Sequence, residues 1–169
     1  LMERGQVDAT RRLASETRRD STSEGRRRAF VAGAARGDVA TKHDYFTRYF
    51  ADTTLNEDWA TASLGAFNAP SQDALTLPYL VPALDSLAWI QQNRRIFYLG
   101  SWLDAFVGGQ RSAVALAQVD AGLASHPKLA PDLHAKVLQA IDELRRTVAI
   151  RQAWASQPVA APPPRRTAG

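Results

Sequence analysis

A hydrolytic centre draws on histidine, carboxylate and serine, and this chain offers three histidines, His43, His126 and His134, with no cysteine. No two of them lie three or four residues apart, the spacing that would set two imidazoles on one helical face around zinc. No Gly-x-Ser-x-Gly elbow presents a serine nucleophile. The missing cysteines exclude disulfides, thiolate metal sites, iron–sulfur clusters and thiol nucleophiles. Gly108-Gly109-Gln110-Arg111-Ser112 precedes a helical segment like an anion cradle, but it lacks the P-loop lysine and the strand that should lead into it, so it reads as a helix–helix turn. Arginine clusters at 11–12, 18–19 and 26–28 could neutralise phosphates. Acids interrupt them and no aromatic side chains alternate with them for stacking, so nucleic-acid binding is disfavoured. Arg94 and Arg95 stand apart, as a tandem cation opening the most apolar stretch of the chain, where burial would fix their stems.

The elements that must carry these groups are helical. The 169 residues are 45% hydrophobic and 22% charged, an ordinary globular balance with the size of one domain. The net charge of +4 sits at the ends, since residues 1–28 and the stretch after Ile150 are both arginine-rich. No apolar run reaches the roughly 20 residues of a membrane span. Residues 1–21 hold too little apolar surface to fold alone and are expected to form a frayed or partner-dependent helix. Ser21 and Glu24 have capping-box spacing for a helix ending at Gly37. A second helix from Asp38 sets Tyr45, Phe46, Tyr49 and Phe50 in one stripe. Asn56 caps a third that buries Trp59, Leu64 and Phe67. Residues 72–93 read as helix bent by Pro78 and Pro82, with a break near Thr76. Ile96, Leu99, Leu103 and Phe106 define a buried helix stopped at Gly108 and Gly109. Ser112 opens the next, with Leu116, Val119 and Leu123. Pro131 then starts a last helix carrying Leu133, Val137, Ile141, Leu144 and Val148, with Glu143 placed to pair with Arg146. No run of alternating β-branched residues occurs. The expectation is all-α, with antiparallel helix pairs stacked as a fragment of a HEAT/ARM-like superhelix. Residues 1–28 form a polar, partly helical lead-in, 29–156 the helical domain, and 157–169 a disordered Pro-rich tail.

Polar and aromatic identities add a resemblance. The stretches Asn56-Glu57-Asp58-Trp59-Ala60-Thr61-Ala62-Ser63-Leu64, Phe67-Asn68-Ala69-Pro70-Ser71-Gln72 and Leu75-Thr76-Leu77-Pro78-Tyr79-Leu80 resemble the C-terminal helical domain of aminopeptidase N-like zinc metallopeptidases of bacterial type. The resemblance runs on through Arg94-Arg95-Ile96-Phe97, Trp102-Leu103 and Asp142-Glu143-Leu144-Arg145-Arg146-Thr147-Val148, over about residues 30–153. It implies a stack of paired helices packed on a catalytic domain and covering its cleft. In that family zinc is held by His-Glu-x-x-His and a later glutamate, and a Gly-x-Met-Glu-Asn loop reads the substrate amino terminus. This chain has no His-Glu pair, and Met2 is followed by Glu3-Arg4, so no ligand, base or amine-binding residue carries over to it.

The expectation is a domain or fragment that is inactive alone, holds no cofactor itself, and partners a catalytic domain that carries the zinc. Peptide substrate would be met only indirectly, with Arg94 and Arg95 as the cations offered to the cleft. Bacterial cytoplasm and periplasm both fit. The alternative is a stand-alone α-helical adaptor whose grooves bind another protein.

Overall fold

The computed structural model describes residues 2, 8–52 and 54–156, with the side chain of Ile96 outside that set. Their helices are α1 (Ala9–Arg19), α2 (Ser23–Ala34), α3 (Val39–Ala51), α4 (Glu57–Phe67), α5 (Asp73–Thr76), α6 (Leu80–Asp85), α7 (Leu87–Asn93), α8 (Ile96–Phe106), α9 (Ala113–Ser125) and α10 (Pro131–Ala155). No strand occurs among the described residues. The chain is all-α, its helices packed in pairs; α2 lies on α4, α4 on α8, α6 on α9 and α9 on α10. That pairing fits a HEAT/ARM-like stack.

Side-chain oxygens begin several helices by taking up amide protons that have no partner inside the helix. Asp38 accepts the Thr41 N–H, Asn56 the Asp58 N–H, and Ser112 the Ala115 N–H. The α2 start differs from expectation by one residue. Thr22, not Ser21, accepts the Gly25 N–H, and Asp20 in turn receives the Thr22 hydroxyl and amide. α2 therefore spans the expected 28/29 boundary, and α1 packs on it.

Between residues 70 and 93 the two prolines do more than bend one helix. Single 3-10 turns at Pro70–Gln72 and Leu77–Tyr79 separate α4, α5 and α6, and a further break at Ser86 divides α6 from α7. Pro78 sits in the second of these turns and Pro82 in the first turn of α6, where a missing amide proton costs little.

The core is aromatic at its centre. Trp102 is 1% exposed and lies within 6.2 Å of the rings of Phe46, Tyr49, Phe50, Tyr98 and Phe106, while its Nε1–H donates to the Ala83 carbonyl at 3.0 Å. α10 buries Leu133, Val137, Ile141, Leu144 and Val148, as its 4, 4, 3, 4 spacing dictates. It then continues to Ala155, and every residue from 149 to 156 is exposed. Residues 157–169, where a Pro-rich disordered tail is expected, lie outside the described residues.

Candidate functional site

Arg94 and Arg95 occupy the extended two-residue joint between α7 and α8, with ψ of 160° and 154°. That joint turns consecutive side chains in different directions. The Arg94 guanidinium goes inward, donates to the Tyr49 carbonyl, and lies 5.4 Å from the ring centres of both Trp89 and Tyr98. It is thus a packed cation that ties α8 to the end of α3. Arg95 goes outward and keeps 77% of its side chain exposed. Its backbone N–H donates to the Glu57 carboxylate at 3.2 Å, so the first turn of α4 caps the start of α8. The Arg95 guanidinium stays 3.9 Å from Glu57 and from Asp58, a loose screened contact that leaves it open to an outside anion.

Next to Arg95 stands Phe97, 84% exposed. Tyr98, one residue on, is buried; burial pushes its phenol well above the ordinary range, with Arg94 opposing and Glu57 adding to the rise. The edge formed by the α4 and α8 starts therefore combines one exposed, loosely paired guanidinium, one bare aromatic ring and a polar underside.

A serine–histidine–aspartate alignment elsewhere does not work as a hydrolytic relay. His126 Nε2 lies 3.4 Å from Asp85, and Nδ1 lies 3.1 Å from Ser125 Oγ. Yet Nδ1 also sits 2.7 Å from the Gly122 carbonyl, which can only accept, so Nδ1 carries the proton. Ser125 donates to that same carbonyl at 2.7 Å. The hydroxyl has no base, and the two groups simply share one carbonyl in the last turn of α9. Among the described residues no three histidine, aspartate or glutamate side chains gather as a metal site, and no helix is long and apolar enough to cross a membrane.

The polar residue that sequence reading passed over is Lys42. It is fully buried, and its ammonium donates to the carbonyls of Ala34 at 2.8 Å and Phe67 at 2.6 Å, the last residues of α2 and α4. Two helix C-termini, each carrying partial negative charge, thus meet on one cation. Its position gave the clue, because Lys42, Tyr45, Phe46 and Tyr49 share the i, i+3, i+4, i+7 stripe that faces the core.

Neither a protein-family model nor a curated protein matches this chain.

Proposed function

We propose that the chain is the C-terminal helical domain, or a fragment, of a zinc-dependent aminopeptidase. In this reading it covers the cleft of a catalytic domain that supplies the zinc. The reading rests on the ordered resemblance over about residues 30–153, and the paired helices suit it. The observation that carries it in the folded chain is the Arg95–Phe97 edge. An aromatic ring left 84% exposed beside an exposed guanidinium only loosely paired with Glu57 and Asp58 is what a surface offers when an apolar contact and a peptide carboxylate both come from another body. Arg94, held on Tyr49, Trp89 and Tyr98, acts as the support that fixes this edge. Arg95 is the group that meets the cleft.

In such an assembly the metal and its base would sit on the partner, where zinc lowers the pKa of bound water and a carboxylate takes the proton. The helical domain would limit substrate length and exclude water. Two results test this. The DNA just before the codon for Leu1 should encode, in frame, His-Glu-x-x-His and a Gly-x-Met-Glu-Asn loop; an unrelated gene there overturns the reading. Purified chain supplied with zinc should release no amino-terminal residues from peptides, and robust release would equally overturn it.

A further inference from the structure

α10 carries two stripes. The first, from Leu133 to Val148, is spent on the core. The second lies about 100° round the helix from it. Glu143, Thr147, Ile150 and Trp154 follow at 4, 3 and 4 residues, the spacing of a helix–helix seam. This seam begins on the wall of a groove of about 450 Å³ that α10 shares with Asp104 and Gly108 at the end of α8. It ends where every residue from 149 to 156 is exposed, with Ile150 and Trp154 at 52% and 70%. Two large apolar side chains one turn apart on one seam form a contact surface rather than scattered exposure.

Charge decides what fits there. From Pro131 to Glu143, α10 carries three acids and one lysine; from Leu144 to Ala155 it carries Arg145, Arg146 and Arg151 and no acid. Asp104, also exposed, adds a carboxylate to the groove beside the acidic half. A second α10 laid parallel on the seam would set arginines on arginines. Laid antiparallel, it sets its basic half on the acidic half and opposes the two helix dipoles as well. The surface is therefore complementary to itself turned through a two-fold axis.

We propose that two copies of the chain pair through α10 about a two-fold axis between Thr147 and Ile150. Ile150 of each copy then meets Thr147 of the other, and Trp154 meets Glu143, whose carboxylate can accept the indole N–H. On one flank of α10, Arg145 reaches Asp120 of α9; on the other, Ala140 lines the groove with Asp104. Arg151 falls on that second flank, where it reaches Asp104 of the other copy. The exposed end of each helix, about 12 Å long, lies over the Thr147 end of the other's groove and leaves the Gly100 end open. The two helical bodies stand on opposite sides of the axis. A contact of this length belongs to the low end of stable interfaces, roughly 1,200 Å², so the pair forms in the micromolar range. It lies away from the Arg95–Phe97 edge, which is at the other end of α8, and needs no peptidase partner.

Sedimentation equilibrium of the full chain should show the mass rising from one chain to two across the micromolar range. Ile150→Glu with Trp154→Ala, both at exposed positions, should keep the helical spectrum and raise the dissociation constant at least tenfold. Arg151→Glu should weaken pairing about tenfold, Asp104→Arg likewise, and the two changes in one chain should restore it. The chain has no native cysteine. Mixed Thr147→Cys and Ile150→Cys chains should therefore form a disulfide with each other faster than either forms one with itself, the signature of the antiparallel register. A chain that stays single at every concentration, or a pair indifferent to the Ile150 and Trp154 changes, overturns the proposal. So does an Arg151→Glu loss that Asp104→Arg does not repair, or faster linkage of Thr147→Cys chains to themselves.

Discussion

The junction where α2 and α4 end on Lys42 of α3 and the outer sides of α8 and α10 treat polar groups in opposite ways. Around Lys42 charge is sealed in. The ammonium ends two helices at once, the Gln72 amide ties the turn after α4 to Ala35 after α2, and Gln110 ties the turn after α8 to Thr76 at the end of α5. Gly109 shows how close that packing is, because a methyl group there would come within 2.8 Å of the Asn68 carbonyl. On the outer sides of α8 and α10 the same chain leaves a guanidinium, two aromatic rings and two carboxylates facing out. The first region spends polar groups on holding helices together, and the second keeps them available. The difference puts the cost of losing a polar contact at the junction, while the outer faces leave theirs open to solvent.

The sharpest way to break that contrast is at Lys42. Lys42→Met fills the same space but strands two buried carbonyls, each worth about 1–3 kcal/mol, so the combined loss of stability should be about 3–5 kcal/mol in a urea titration. A loss under 1 kcal/mol would mean that the junction does not hold the helix ends.

Alkaline titration probes the same interior. Burial raises the Tyr45 phenol to about 12, against a modest opposing effect of Arg48, and pushes Tyr49 and Tyr98 up as well. A phenol whose folded pKa exceeds its unfolded value, near 10, keeps its full contribution below pH 10 and loses it as pH rises through the folded value. Thermal midpoints should therefore be flat up to about pH 10 and fall steadily toward pH 12. Tyr45→Phe, which also gives up the 2.7 Å bond to the Phe30 carbonyl, should start lower at pH 8 and fall less steeply. Equal slopes would show that Tyr45 ionises as it does in the unfolded chain.

Adjacent arginines give a smaller and more discriminating effect. Arg94→Met should cost about 2 kcal/mol, because a charge-assisted bond to Tyr49 and two ring contacts vanish. Arg95→Ala should change stability by less than about 0.5 kcal/mol, as exposed and weakly paired arginines do. Similar values for the two would erase the distinction between a packed cation and an available one.

Much of this division was legible in the residues, and the rest was hidden for identifiable reasons. Helix positions followed from apolar spacing because each stripe had one core to face. Asp38, Asn56, Ser112 and Pro131 marked starts because their chemistry suits a helix start. The Ser21 assignment missed by one because Ser21 and Thr22 are both competent caps, and the choice fell to Asp20, which holds Thr22. The break at Ser86 has no proline or glycine to announce it. The arginine pair was visible as a pair, but which member turns inward depends on the joint between α7 and α8 and on Glu57, 38 residues away. Lys42 escaped notice because lysine on a core stripe is normally read as a long side chain reaching water, and only the tertiary fold brings two helix ends to its ammonium.

The gentlest perturbation bears on the open side. Gly100 lies inside α8, where glycine lowers helix stability relative to alanine by about 0.8–1.0 kcal/mol, and a methyl group there meets nothing within 4 Å. Gly100→Ala should therefore raise the unfolding free energy by about 0.5–1 kcal/mol. Gly109→Ala supplies the contrast, since its methyl group would press on the Ala105 and Asn68 carbonyls and should destabilise. If Gly100→Ala also destabilises, the groove beside α8 is already filled or closed in solution, and the separation between a sealed junction and an open outer face fails at the position where it is cheapest to test.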